Sequence, residues 1–279
     1  SNYKAGERLV LEDLGNAIER IAQNGIGEFY EGFVAESLVK DMVLNGGLLR
    51  QDDLSGNEPK VLEPLIAEFK GLQIVTMPPP SSGGVALIQL LRIFEDIDLK
   101  STGSNTPATI DLMAKALGTV YAARERVSDP DFVEVAIQEL ISDPFVAGLK
   151  EQSKSSRASR ATPLRTNSQT SHLSVIDYDR NVVALTESLE CFFGSGVVVP
   201  GTGIFLNDTM HDFDPHPGGV NSVQPGKTPM SSMSPTIFMK DSVPFMVLGS
   251  AGGSRIITAV LQVALNVFEH GMNVQEAIS

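Results

Sequence analysis

A chain of 279 residues is long enough for one large domain or two small ones with a substantial buried core. Its formal net charge of −13 argues against nucleic acid or an anionic membrane surface as a partner. Cys191 is the single cysteine, which excludes an intrachain disulfide and a multi-thiolate metal site.

Helical patterns come first along the chain. In LVLEDLGNAIERIAQNG, Leu11, Leu14, Ile18 and Ile21 recur at helical spacing and Gly25 ends the run. FYEGFVAESLVKDMVLNGG repeats the pattern through Tyr30, Val34, Leu38 and Met42 and closes on an Asn-Gly-Gly C-cap. EPLIAEFKGLQIVTM reads as two short strands about Lys70-Gly71. PPPSSGG, residues 78–84, then breaks regular structure before a helix in VALIQLLRIFEDI. Two further helical patterns lie in IDLMAKALGTVYAARERV and FVEVAIQELI. Residues 150–169 carry five cations, one acid and almost nothing apolar, which predicts a mobile, solvated linker, with a basic binding patch as the alternative. No apolar run approaches the ~20 residues of a membrane-spanning helix, and the opening SNYKAGERLV has no signal-peptide core.

Beyond the linker the period becomes two. HLSVIDYDRNVVALTES predicts a hairpin turning at Asp179-Arg180-Asn181, and PTIFMKDSVPFMVLGS a second one turning at Asp241-Ser242. TGIFLND is expected as a further strand, and AGGSRIITAVLQVALNVFEHG as glycines opening an apolar helix. Helices, then hairpins, then a helix packed on them point to a layered α+β fold, not a parallel doubly wound sheet.

Three stretches carry candidate chemistry. Thr170 stands at the seam between linker and hairpin, and its hydroxyl needs a base to act as a nucleophile. His172, two residues along the same strand face, is one candidate base. The other is an α-amine freed by cleavage between Gln169 and Thr170, whose reference pKa of about 7.7–8.0 suits proton abstraction near neutrality. GSAGGSRII, residues 249–257, lacks the spacing of a dinucleotide or Walker loop. It reads either as backbone amides that stabilise an anion or as a plain strand-to-helix turn. KTPMSSMSPT, residues 227–236, is by itself a loop. The four histidines, at 172, 211, 216 and 270, form no ligand-spacing motif, so no metal site is expected, and HDFDPHPGG reads as a turn.

PPPSSGG, TSHLSVID, FFGSGVVVPGTGIFLND, DFDPHPGGVNSVQPGKTPMSSMSPTI and GSAGGSRIIT together resemble, in order and spacing, the γ-glutamyltranspeptidase family of N-terminal-nucleophile hydrolases. The resemblance implies an αββα four-layer sandwich, whole or in part. It also implies a precursor that cuts itself between Gln169 and Thr170, leaving Thr170 as the catalytic nucleophile. By the same resemblance Ser188 hydrogen-bonds that nucleophile. Glu190 and Asp212 hold a substrate α-amine, Ser231 and Ser232 its α-carboxylate, and Gly252 and Gly253 supply oxyanion amides. Residues 1–149 would then be the C-terminal part of a large subunit, 150–169 the linker, and 170–279 part of a small subunit.

The expected activity is γ-glutamyl transfer or hydrolysis on glutathione-like amides. The acceptor would be water, an amino acid or a peptide, the enzyme a heterodimer, and no cofactor would be needed. Action on poly-γ-glutamate or β-lactam side chains, or a catalytically silent fragment that only associates with its other half, are the alternatives. The family is commonly periplasmic, secreted or surface-facing. Several positions depart from its pattern. Thr209 stands where an amide or acid is common, Ser188 where threonine is usual, and Arg180 where a turn glycine is usual. The chain is expected to begin after the family's carboxylate-clamping arginine, to end before its closing strands, and to lack a lid insertion between Phe213 and Ser231.

Overall fold

The structure, a computed structural model, describes residues 3–155 and 168–279. The helices, in chain order, are α1 (Glu12–Asn24), α2 (Gly27–Tyr30), α3 (Phe33–Asn45), α4 (Gln51–Ser55), α5 (Gly83–Phe94), α6 (Leu99–Thr102), α7 (Pro107–Ala123), α8 (Ile137–Leu140), α9 (Asp143–Ser155), α10 (Arg255–Phe268) and α11 (Val274–Ile278). The strands are β1 (Leu65–Phe69), β2 (Leu72–Thr76), β3 (Ser168–Ile176), β4 (Val182–Cys191), β5 (Val198–Val199), β6 (Ile204–Phe205), β7 (Thr236–Lys240) and β8 (Val243–Leu248).

These divide into two units, one of Ser1–Val61 with Phe192–Asp208, the other of Leu62–Cys191 with Thr209–Ser279. In the first unit α3 and α4 share a small core of Ala35, Leu38, Leu54 and Val199. The strand expected in TGIFLND is only Ile204–Phe205, paired with Val198–Val199.

The second unit is built on an antiparallel sheet of order β1-β2-β7-β8. Alternation sets its register: Ile74 lies opposite Phe238, and both are fully buried. Asp241 and Ser242 both take positive φ, 51° and 62°, the double left-handed turn that suits a two-residue hairpin. Apolar residues of α5, α7, α9 and α10 pack with the sheet in one core that includes Phe69, Leu91, Phe94, Val120, Leu149 and Leu261. Each such side chain, fully buried, contributes about 1.5–3 kcal/mol of transfer free energy. Two of the sheet's strands precede Thr170 and two follow it.

β3 and β4 form a separate hairpin that lies against β8. Ser174 Oγ donates to the Val247 carbonyl at 3.3 Å, and Arg180 Nη2 donates to the Pro244 carbonyl at 3.0 Å. Arg180 itself is left-handed, φ 66°, so the departure from glycine carries backbone strain while its side chain gains an anchor on β8. Among the described residues the strands make this one four-stranded sheet and two two-stranded ones, and with the helices packed on the larger sheet the α+β reading holds.

Other local expectations also differ from the structure. The segment FVEVAIQELI yields only the short α8. The next helix, α9, runs through Lys150 to Ser155, and β3 begins at Ser168, so both ends of the expected linker are regular structure. Its middle, 156–167, lies outside the described residues.

Candidate active site

Every candidate site residue falls in the second unit. Thr170 sits near the start of β3, opposite Ser188 on β4, and is about nine-tenths buried, at 9% exposure. The pairing shifts here. Gln169 lies opposite Glu190 and Thr170 opposite Ser188, which leaves Leu189 as an extra residue across from the Gln169–Thr170 bond. Glu190 takes a left-handed φ of 71° to accommodate the bulge, an uncommon conformation for a side chain with a Cβ.

The bulge gathers three groups on one hydroxyl. Ser188 Oγ donates to the Gln169 carbonyl oxygen at 3.1 Å and lies 3.2 Å from Thr170 Oγ1. The Glu190 amide donates to Ser188 Oγ at 2.9 Å. With the serine proton directed at Gln169, the Thr170 hydroxyl is the donor in its contact with Ser188. The Thr170 hydroxyl and the Gln169 carbonyl are thus held by the same side chain.

His172 does not act on Thr170 in this geometry. Its Nδ1 lies 2.7 Å from Thr186 Oγ1 and its Nε2 3.1 Å from Ser174 Oγ. A Cβ on Gly249 would fall 2.3 Å from the ring, so the imidazole packs directly on that backbone. Burial pulls its pKa below the usual histidine value. It joins the hairpin to the end of β8, where the glycine loop begins.

That loop runs from β8 to α10. Gly252 and Gly253 have φ of 121° and 59°, the first far outside what a side chain adopts. The turn is closed by Arg255 and Ile256 amides donating to the Gly252 and Gly253 carbonyls. Among the described residues the amides of Gly252 and Gly253 are donors in none of these bonds, which suits an oxyanion.

Ser231 and Ser232 are fixed by PPPSSGG. Ser82 donates to the Ser231 carbonyl through both its amide, at 2.9 Å, and its Oγ, at 2.8 Å. Ser81 Oγ donates to the Met233 carbonyl at 2.6 Å. A Cβ on Gly83 would lie 2.5 Å from the Met233 carbonyl, and one on Gly84 2.1 Å from that of Met77, so the approach of these segments requires glycine. Ser231 Oγ accepts from the Met233 amide at 3.1 Å, and Ser232 Oγ accepts from Arg124 Nη2 at 2.8 Å. Each hydroxyl thereby has an acceptor role filled and its proton available to an incoming carboxylate.

Asp212 closes the short 3₁₀ turn Thr209–Asp212, which lies against β4, the strand that ends beside Glu190. The Asn221 side-chain amide donates to its carbonyl at 2.8 Å. Asp212 and Ser232 are connected through Arg124, whose guanidinium bonds Ser232 and feels the Asp212 charge. Arg124 and its neighbour Tyr121 were not singled out in the sequence. Their only local signal is an i, i+3 pair at the end of a helix, and their partners lie far along the chain.

The chain as a whole is similar to known proteins. The family described as gamma-glutamyltranspeptidase matches residues 1–279. The chain is 40% identical over 292 residues to the glutathione hydrolase proenzyme of Escherichia coli K12, covering 98% of this chain and 50% of that protein. It is 36% identical over 279 residues to the acylase ACY 1 proenzyme of Pseudomonas sp. SE83, covering 98% and 50%. The crystal structure of cephalosporin acylase from Bacillus halodurans superposes with a TM-score of 0.84 at 24% identity, over 98% of this chain and 50% of that one, and shares the fold. The chain spans about half the length of the curated relatives it matches. The family match, which runs over the whole chain from residue 1 to residue 279, makes the chain a member of the γ-glutamyltranspeptidase family.

Proposed function

We propose that the protein to which this chain belongs cuts itself between Gln169 and Thr170 and then uses Thr170 to cleave γ-glutamyl amides. The observation that carries this reading is the Ser188 hydroxyl, shared between Thr170 Oγ1 and the Gln169 carbonyl. In self-cleavage Thr170 Oγ1 attacks the Gln169 carbonyl carbon, and the Ser188 proton supports the charge that develops on the oxygen. The C–N bond breaks, the hydroxyl proton passes to the new α-amine, and water hydrolyses the ester. The freed amine is then the base, on the nucleophile's own residue, for attack on substrate.

Glu190 and Asp212 would hold the donor's ammonium, Ser231 and Ser232 its α-carboxylate, and Gly252 and Gly253 the oxyanion. The acceptor would be water, an amino acid or a peptide. The products of cleavage form a heterodimer in this reading, because β2, before the cut, pairs with β7, after it. A periplasmic, secreted or surface-facing location accompanies the proposal. None of these steps calls on a metal or organic cofactor.

The second reading, removal of an acyl side chain from a β-lactam, is supported by the 36% identity to an acylase proenzyme. Turnover in the complete protein separates the two. A γ-glutamyl anilide should be cleaved with a rate that rises through an apparent pKa near the amine's reference value of about 7.7–8.0, and His172→Asn should keep that limb. Preference for a β-lactam amide without an α-amine would favour the acylase reading. Loss of the limb in His172→Asn would restore the histidine as base.

A further inference from the structure

Arg124 stands at the C-terminal end of α7 with its guanidinium between two loops that are distant in sequence. Nε donates to Ser82 Oγ and Nη2 to Ser232 Oγ, each at 2.8 Å, across separations of 42 and 108 residues. The guanidinium carbon lies 4.9 Å from the centre of the Tyr121 ring, which supports the cation from one side. The Tyr121 hydroxyl in turn donates to the carbonyl of Ser254, next to Gly253. Burial raises the phenol's pKa, so it stays protonated and remains a donor.

The charge itself needs an explanation. Burial works against the Arg124 cation, and what opposes burial is the Tyr121 hydroxyl and the charge of Asp212. Its hydrogen bonds named above go to neutral hydroxyls. An anion arriving at Ser232 would add a second negative charge, beside that of Asp212, to offset the burial of this cation. The hydrogen-bond sense agrees. Ser82 Oγ passes its proton to the Ser231 carbonyl and can only accept from Arg124, and Ser232 Oγ also accepts, so its proton is turned away from the guanidinium.

We propose that Arg124 is a positioning residue for the carboxylate subsite, orienting the Ser232 proton toward the substrate's α-carboxylate and supplying the positive charge behind it. The proposal rests on the reading of Ser231 and Ser232 as that subsite. A planar fork bonding two hydroxyls at once is a task for arginine that lysine cannot repeat.

The test compares two donors in the complete protein, a γ-glutamyl anilide and the 4-aminobutyryl anilide that lacks only the α-carboxylate. Arg124→Met should raise KM for the first about tenfold or more, the loss expected for a charge-assisted hydrogen bond. kcat should change little, and kcat/KM for the second donor should be unaffected. Ser232→Ala runs in parallel. If Ser232→Ala discriminates between the donors and Arg124→Met does not, the role of Arg124 is refuted while the subsite stands. If Ser232→Ala treats both donors alike, the subsite reading fails and this proposal with it. Should Arg124→Met not fold or mature, Arg124→Lys replaces it. A smaller rise in KM confined to the carboxylate donor supports the role, and equal losses on both donors overturn it.

Discussion

In the proposed mechanism Ser188 is the residue on which the chemistry turns, because its one proton reaches the Gln169 carbonyl while its oxygen receives the Thr170 hydroxyl. Ser188→Ala should therefore slow self-cleavage by about 10²–10³-fold, the cost of removing one oxyanion donor. Ser188→Thr, which keeps the hydroxyl, should mature at close to the native rate. A time course of cleavage on denaturing gels reads both, and unchanged maturation of the alanine variant would remove Ser188 from the mechanism. His172 gives a different kind of test. Its pKa is lowered from 6.5 by burial, so between the folded value and 6.5 the unfolded chain binds more protons. Stability from this group is full above the unfolded pKa and declines as pH falls through that window. Thermal midpoints taken from about pH 8 down to about pH 5 should fall less steeply in His172→Asn than in the native protein. An identical slope would mean that the imidazole is not held neutral by the fold. Thr170 was visible in the sequence because a polar seam met an alternating strand. The bulge beside it was not, since an extra residue in one strand appears only once its partner's register is known.

At the scale of elements, PPPSSGG acts as a template for the serine loop and not as a simple break. Ser81, Ser82, Gly83 and Gly84 are buried, and the first three meet residues 231–233 along backbone and hydroxyl contacts while Gly84 meets Met77. Gly84→Ala forces a Cβ to 2.1 Å from the Met77 carbonyl. It should cost at least the 1–3 kcal/mol typical of overpacking, about a tenfold or greater shift in the folding equilibrium. A chemical-denaturation midpoint equal to the native one would show that the close approach is not maintained. The hairpins, the Lys70-Gly71 turn, α1, α7 and α10 were all legible, because each couples a clear period to a turn or stop signal. α9 was not. Its start is marked by Ser142, whose carbonyl and hydroxyl accept the amides of Val146 and Phe145, with Pro144 in the first turn. Its end merges into residues whose composition alone reads as loop. TGIFLND had the alternation of a strand but pairs through only two residues, because pairing depends on a neighbour that composition does not reveal. Arg124 lay hidden for the same reason, since two loops brought from 42 and 108 residues away give its side chain a purpose.

For the whole molecule, the second unit is one folded body assembled from both sides of the proposed cut. The β2–β7 ladder joins residues before Thr170 to residues after it, and Thr76 Oγ1 and Thr236 Oγ1 meet at 3.0 Å within that ladder. The cleaved protein should consequently elute as one particle under native conditions and separate only when denatured. Composition and periodicity carried the α+β class, and the glycine turn read either as an anion site or as a plain turn, whereas the serine loop received a role only through the family resemblance. The state of the bond before Thr170 is the most direct test, and intact-mass measurement of the denatured complete protein reads it. The native protein should give two polypeptides, one ending in Gln169 and the other beginning with Thr170, and Thr170→Ala should give a single uncut chain. A native protein that remains one chain, or a Thr170→Ala variant that is cut at the same bond, would contradict the proposed self-cleavage.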